Sequence, residues 1–540
     1  MKLSQSLSVL LGATALTLIA GSNALADTAT PIKHLVVIYQ ENVSFDHYFA
    51  TYPRATNPVG EPAFHADSNT PVDIDTLAHA HLLTHNPNEN SMNGTGAANP
   101  FRLDLTQVAT ADQNHDYTPE QQAEDNGNAD LFPLYTGDGT SGGVGAFGTT
   151  GQVMGYYDGN TVTAIWNYAQ NFAMSDNART DTYGPSTPGA IEAVSGQTNG
   201  LTIGLSTDHY TSYWVHDGQG GKTLIGDVDP ANDVCSSTSD TASLTGQNIG
   251  DLLNAVHITW GAFMGGFNLS QTNPNGSTGC ARTTMSTYTN DTKADYIPHH
   301  AWFQYYASTA NPTHARPSSA AAIGQTYEPG TTTRDPANHE YDIDDFYTAV
   351  SAGNFPAVSY LKAQGYQDGH AGYSDPADEQ YFLVTVINFL QRTHHLHDTA
   401  IIITYDDSDG WYDHAYATPT SASYSVADEL NGSAICGTGT ANDGVNGKPV
   451  NGRCGPGVRI PFVVISSFAK KNYVSHKPIG QASIVRFIED NWLSGQRLGG
   501  GSFDASDGSI MDMFDFTAAA TTPLMLDPKT GLKLKTASTH

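Results

Sequence analysis

His34-Leu35-Val36-Val37-Ile38-Tyr39-Gln40-Glu41-Asn42 is an apolar run that ends directly in two oxygen-bearing side chains. A short continuous apolar run, rich in β-branched residues, reads as a strand buried on both faces. Ala400-Ile401-Ile402-Ile403-Thr404-Tyr405-Asp406-Asp407 repeats the arrangement far downstream. In open α/β sheets, chemistry gathers beyond the carboxyl ends of the strands. Two oxygen clusters delivered in this way point to a metal-assisted hydrolase on an α/β scaffold.

Outward from these two strands, strand and helix signals alternate, as they do in α/β proteins. Lys33 to Tyr39 is predicted as a strand, Thr163 to Gln170 as a short helix and Phe172 to Met174 as a strand. Pro188 to Val194 is expected to be a helix, and Phe355 to Lys362 a strand. Asp378 to His394 carries Phe382, Leu383, Val386, Ile387 and Leu390 at helical spacing and feeds the strand Ala400 to Tyr405. A strand at Ile460 to Ser466 and a helix at Ala482 to Leu493 follow. Strand, helix and strand in this order predict parallel neighbours. Residues 52–110, 200–290 and 415–458 are polar and turn-rich. Connections of that length read as lids, a small accessory domain or disulfide-tied excursions, with insertions placed near 200–290 and 415–458. The tail after Pro523 is expected to pass from ordered to frayed.

The chain has 540 residues and a formal charge of -31. That balance argues against nucleic acid, which needs basic patches, and against docking on anionic membranes. An enzyme of phosphate esters with this charge needs a locally positive site, most simply a bound cation. Lys2, the apolar run Leu7 to Ala20 and Ala24-Leu25-Ala26 form a secretory signal over residues 1–26. The expected product is exported, periplasmic or secreted, with no integral membrane segment in residues 27–540. The four cysteines lie in polar, glycine-rich segments. In an exported chain they predict two disulfides. Of the three connectivities, the sequence-local pairs Cys235–Cys280 and Cys436–Cys454 are favoured.

Glu41, Asn42, Asp406 and Asp407 offer hard oxygen atoms. These suit one divalent or trivalent cation (calcium, iron, manganese or magnesium) better than a thiolate-seeking metal. Acids at strand ends also commonly just face solvent; two clusters together favour function. Between them lies Gly184-Pro185-Ser186-Thr187-Pro188. A helix opening near Pro188 would aim amide groups at Ser186 and attract phosphate. On spacing alone a Ser at a helix start is more often just an N-cap, and Thr187 is also a candidate for the nucleophile or the cap. Histidines in aromatic or turn-rich segments are further candidates: His115, His299 with His300, and His370. They would bind phosphoryl oxygens or protonate a leaving oxygen. His414, after Trp411-Tyr412-Asp413, is equally a candidate to support the acidic pair.

These segments resemble the bacterial phosphoesterases that include the metal-dependent acid phosphatase A group and the bacterial phospholipases C. The resemblance runs from about Pro31 to Leu493. It rests on the run His34 to Phe49, on Gly184 to Pro188, on Tyr366-Gln367-Asp368-Gly369-His370 and on the run Thr404 to His414. It implies a three-layer α/β/α sandwich with an alkaline-phosphatase-like core. It implies Glu41, Asn42, Asp406 and Asp407 as metal ligands and Ser186, rather than Thr187, as nucleophile and further ligand. It also implies His115, His299 or His300, and His370 as phosphate-lining residues. Val43 stands where Arg is frequent, and Asp407 where Glu is frequent. Gly189-Ala190 follow Pro188 where phospholipases C often have Asn-Arg, which tilts the expectation toward an acid phosphatase acting on phosphomonoesters through a phosphoserine. A phospholipase C acting on phospholipid phosphodiesters is the alternative, and a non-catalytic binder of phosphorylated ligands the second alternative.

Overall fold

A computed structural model describes residues 28–141, 145–204, 209–517 and 523–535. The expected signal segment, residues 1–26, lies outside the described residues. The chain builds an eight-stranded sheet from β1 (His34–Gln40), β2 (Ala173–Ser175), β3 (Trp260–Met264) and β4 (Glu340–Asp342). β5 (Val358–Lys362), β6 (Thr399–Tyr405), β7 (Phe462–Ser466) and β8 (Tyr473–Ser475) complete it. The order across the sheet is β4-β3-β5-β1-β6-β7-β2-β8. Neighbours run parallel except for β7, which is antiparallel to both β6 and β2. β1 and β6 are buried along their whole lengths, as their unbroken apolar runs require.

Six helices cover the sheet: α1 (Thr163–Asn171), α2 (Ser186–Ser195), α3 (Ile249–Ala255), α4 (Ile343–Ser351), α5 (Pro376–Arg392) and α6 (Ser483–Trp492). Strand register assigns them to faces. Val37 pairs with Tyr360, so Tyr39 and Tyr360 share a face. Their hydroxyls donate to α2, at Gly189 O (2.8 Å) and Ala193 O (3.1 Å). Gln40 pairs with Tyr405, and the Tyr405 hydroxyl donates to Glu379 of α5 on the opposite face at 2.6 Å. α3 and α6 pack on α2, and α1 on α5. α4 reaches α5 through Tyr347 and Phe389, ring centroids 4.9 Å apart. The result is the expected α/β/α architecture. α5 starts where its chemistry dictates: Asp375 accepts from the amides of Ala377 and Asp378, and Pro376 occupies the first turn.

Three differences from the sequence reading bear on the site. β5, α5 and β6 were expected to place parallel neighbours side by side, but β1 lies between β5 and β6. β1 and β6 are both buried on both faces, and their side-by-side pairing brings their carboxyl ends together. The stretch 200–290 contributes β3 to the main sheet. Its Trp-Gly-Ala-Phe-Met composition hides the strand, because a Cβ at Gly261 would meet the rings of Phe263 and Tyr341 at 2.9 Å. α2 begins at Ser186 itself, with Pro185 as N-cap, rather than at Pro188. Both expected disulfides form, Cys235–Cys280 and Cys436–Cys454.

Candidate active site

The parallel pairing of β1 with β6 ends with Gln40 opposite Tyr405. Glu41-Asn42 and Asp406-Asp407 therefore leave the same edge side by side. Asn42 adopts a left-handed backbone (φ 61°), which Asn tolerates better than most residues. That turn aims its amide N–H at Asp406 Oδ1 (3.0 Å), which also accepts from Asp407 N–H (2.9 Å).

Ser186, the first residue of α2, completes the cluster. Its Oγ lies 3.0 Å from Glu41 Oε2, 3.3 Å from Asn42 Oδ1 and 3.1 Å from Asp407 Oδ2. One hydroxyl proton satisfies one acceptor, so the remaining contacts bring oxygen against oxygen. Asp406 Oδ2 is buried with no hydrogen-bond partner among the described residues. Convergent, proton-poor oxygens of this kind fit a hard cation. Burial, and then the neighbouring Asp406 charge, pushes Asp407 well above the usual carboxylate range, a state that a positive charge at the site would relieve. Thr187 points elsewhere: its Oγ1 donates to His299 O at 3.3 Å.

The expected histidines divide by geometry. His300 is buried, with Nδ1 3.2 Å from Glu41 Oε1. Burial first, and then its charged neighbours, holds its basicity well below normal. His299 is partly exposed and faces Asp229 at 3.6 Å. His115 Nδ1 meets Gln113 O at 2.8 Å, and Nε2 meets Asn42 Nδ2 at 3.2 Å. Burial lowers the basicity of His115, but the neighbouring Asp407, Asp409 and Asp112 outweigh burial and raise it well above the ordinary imidazole value. His370 lies edge-on to His115, 5.9 Å between ring centroids, and is pushed down to about 3 by burial and by the His115 charge. His414 does not support the acidic pair; it bonds Asp46 (2.6 Å) and Asp75 (3.2 Å), next to the buried Arg459. Asp413, directly after Tyr412, turns toward Arg459.

Other groups bring candidate ligand atoms within 4.8 Å of one another: Asp112 with His115, His370 and Asp409; Asp233 with Cys235 and His314; and Asp46 with Asp413 and His414. Cys235 is committed to a disulfide, and Arg459 already neutralises the third group. The first adjoins the Ser186 cluster.

Sequence reasoning missed several residues. Lys362, at the end of β5, places its ammonium on Glu41 Oε1. Asp409 accepts from Asn42 Nδ2 at 3.2 Å; its signal was present in the run after β6. Glu120 gave no signal. Its carboxylate accepts from Ser408 Oγ (2.6 Å) and Gly184 N–H (3.0 Å), tying the acidic turn to the Ser186 turn. Gly189 sits where a Cβ would collide with the Asp406 carbonyl oxygen.

Residues 32–493 match the model of the phosphoesterase family. A non-hemolytic phospholipase C of Burkholderia pseudomallei is 23% identical over 481 residues, covering 87% of this chain and 56% of that protein. A non-hemolytic phospholipase C of Pseudomonas aeruginosa is 26% identical over 155 residues, covering 28% of this chain and 22% of that protein. The chain thus spans little more than half the length of the first and less of the second. Among solved structures, murine ectonucleotide pyrophosphatase/phosphodiesterase 5 is similar at 10% identity and a TM-score of 0.30, over 66% of this chain and 95% of that one.

Proposed function

This chain belongs to the phosphoesterase family, and from that premise we propose that it is an exported, metal-dependent phosphoric-ester hydrolase, an acid phosphatase acting on phosphomonoesters through a phosphoserine. The observation that carries the reading is Ser186 Oγ held among Glu41, Asn42 and Asp407 oxygens, with Asp406 Oδ2 left unpartnered. Glu41, Asn42, Asp406, Asp407 and Ser186 would hold one divalent or trivalent cation. Bound there, it would act as a Lewis acid toward the Ser186 oxygen and the phosphoryl oxygens.

Ser186 attacks phosphorus in line with the leaving oxygen and becomes esterified, its proton passing to a neighbouring carboxylate. Cationic His115 holds an equatorial phosphoryl oxygen and then protonates the leaving oxygen. Neutral His115 next accepts a proton from the water that attacks phosphorus, and the carboxylate returns its proton to the Ser186 oxygen as the phosphorus–oxygen bond breaks, which restores the starting state. Buried His300 and His370 are neutral and act as hydrogen-bond partners rather than acids. Export is supported by the two disulfides and by the N-terminal signal-like segment of the sequence; residues 27–540 are proposed as one phosphoesterase domain with insertions.

The names of the relatives favour a second reading, a phospholipase C cleaving phospholipid phosphodiesters. Release of inorganic phosphate from a soluble monoester and of phosphocholine from phosphatidylcholine, each before and after chelation, separates the two. Chelator-sensitive monoester turnover at acid pH, lost in Ser186→Ala, is the expected result. Turnover of lipid alone moves the chain to the second reading. Near-normal turnover by Ser186→Ala refutes the serine mechanism, and ligand binding without release of either product would make the protein a binder.

A further inference from the structure

The site must draw an anionic ester to a chain with 54 acidic and 23 basic residues. Lys362 is committed to Glu41, so it is not a free anchor. A second lysine stands nearby. Lys293 lies on the hairpin Thr283–Met285/Thr292–Ala294, opposite Thr284. The hairpin is pinned to the segment carrying His370: Ser286 Oγ donates to Asp375 (3.0 Å), and Gly365 N–H donates to Asp295 O (3.2 Å). Lys293 Nζ sits 3.9 Å from the centroid of the Tyr373 ring. That ring stacks on His370 at 4.4 Å, and its hydroxyl donates to Asp368, which faces His300 at 4.0 Å. Lys293 is half-buried and forms no ion pair among the described residues. An aromatic face holds an ammonium in place without neutralising it.

We propose that Lys293, held on the Tyr373 ring that also carries His370, is a cation whose field selects phosphomonoester dianions over phosphodiester monoanions. The inference rests on the hydrolase reading above. A dianion carries one more charge than a diester, and a fixed cation near the site favours it accordingly.

The test uses the full mature chain with its supporting metal, at a pH where p-nitrophenyl phosphate is a dianion. The ratio of kcat/KM for that monoester to kcat/KM for bis(p-nitrophenyl) phosphate is measured in wild type, Lys293→Met, Lys293→Gln and Lys293→Arg. The ratio is expected to fall by about tenfold in the two neutral variants, the effect of roughly one screened charge contact. Inhibition by inorganic phosphate should weaken in parallel, and Lys293→Arg should restore both. An unchanged ratio in the neutral variants, or an equal fall in Lys293→Arg, overturns the proposal. A wild type that turns over neither ester overturns the hydrolase reading itself, which distinguishes the two failures.

Discussion

Gly189→Ala adds one carbon to the helix that carries Ser186. On helix propensity alone the change should stabilise the protein by about 1 kcal/mol. At this position, however, the new Cβ collides with the Asp406 carbonyl oxygen and comes within 2.7 Å of its carbon and 2.9 Å of Gln481 Nε2. The carbonyl belongs to the backbone at the end of β6 and has no rotamer to escape into. Gln481 is also fixed, because its Nε2 donates to the Tyr39 hydroxyl (2.8 Å) as well as to Asp406 O. Relief requires α2 to withdraw, and overpacking of this kind costs about 1–3 kcal/mol. Propensity offsets much of that, so the melting temperature should fall by only a few degrees, if at all. Activity should suffer far more. A withdrawal of roughly 1 Å carries Ser186 away from Glu41, Asn42 and Asp407, and misplacement of that size costs about 100-fold in rate. The assay is phosphate release from a soluble monoester at saturating metal, with a thermal melt on the same sample. Full turnover in Gly189→Ala, or a raised melting temperature, would refute the claim that close approach of α2 to Asp406 builds the site.

Glu120→Ala strands two buried donors, Ser408 Oγ and Gly184 N–H, at about 1–3 kcal/mol each. Turnover per folded molecule should drop, and Glu120→Gln, which still accepts from Gly184 N–H, should recover most of it; equal losses in the two variants would sink the positioning role. Burial raises Glu379 from 4.5 to about 8, against the pull of its bonds to Tyr405 and Tyr48. The folded chain then holds a proton that the unfolded chain has released between those values, so this contribution to stability is lost as pH rises through the window. Unfolding midpoints of wild type and Glu379→Gln across pH 4.5 to 8.5 should therefore shift in favour of the variant as pH rises, by a few kcal/mol; a constant difference would contradict the raised pKa. Removing the Cys436–Cys454 bridge, whose cysteines lie 18 residues apart, should cost about 3 kcal/mol through chain entropy. Denaturant midpoints of the double Ala variant test that figure, and an unchanged midpoint would mean the bridge does not restrain the unfolded chain.

Much was legible in the sequence because it is local. The apolar runs of β1 and β6 announce strands buried on both faces, and the acids that follow them emerge at strand ends whatever the sheet order. The helical spacing along α5 and the polar, turn-rich setting of the cysteines are local patterns of the same kind. Sheet order is not local. β1 separates β5 from β6, and β3 is assembled from a glycine-interrupted stretch, because neighbours are chosen by the fit of whole faces rather than by any one segment. The split between His300, set against Glu41, and His299, turned to Asp229, also came only from the tertiary structure: adjacent residues point apart, and the turn decides which one is buried. Glu120, Lys362 and Gly189 were silent for the same reason. Each acts through a partner more than sixty residues away in the chain, where only the packed fold brings a carboxylate, an ammonium or a missing side chain to the place that needs it.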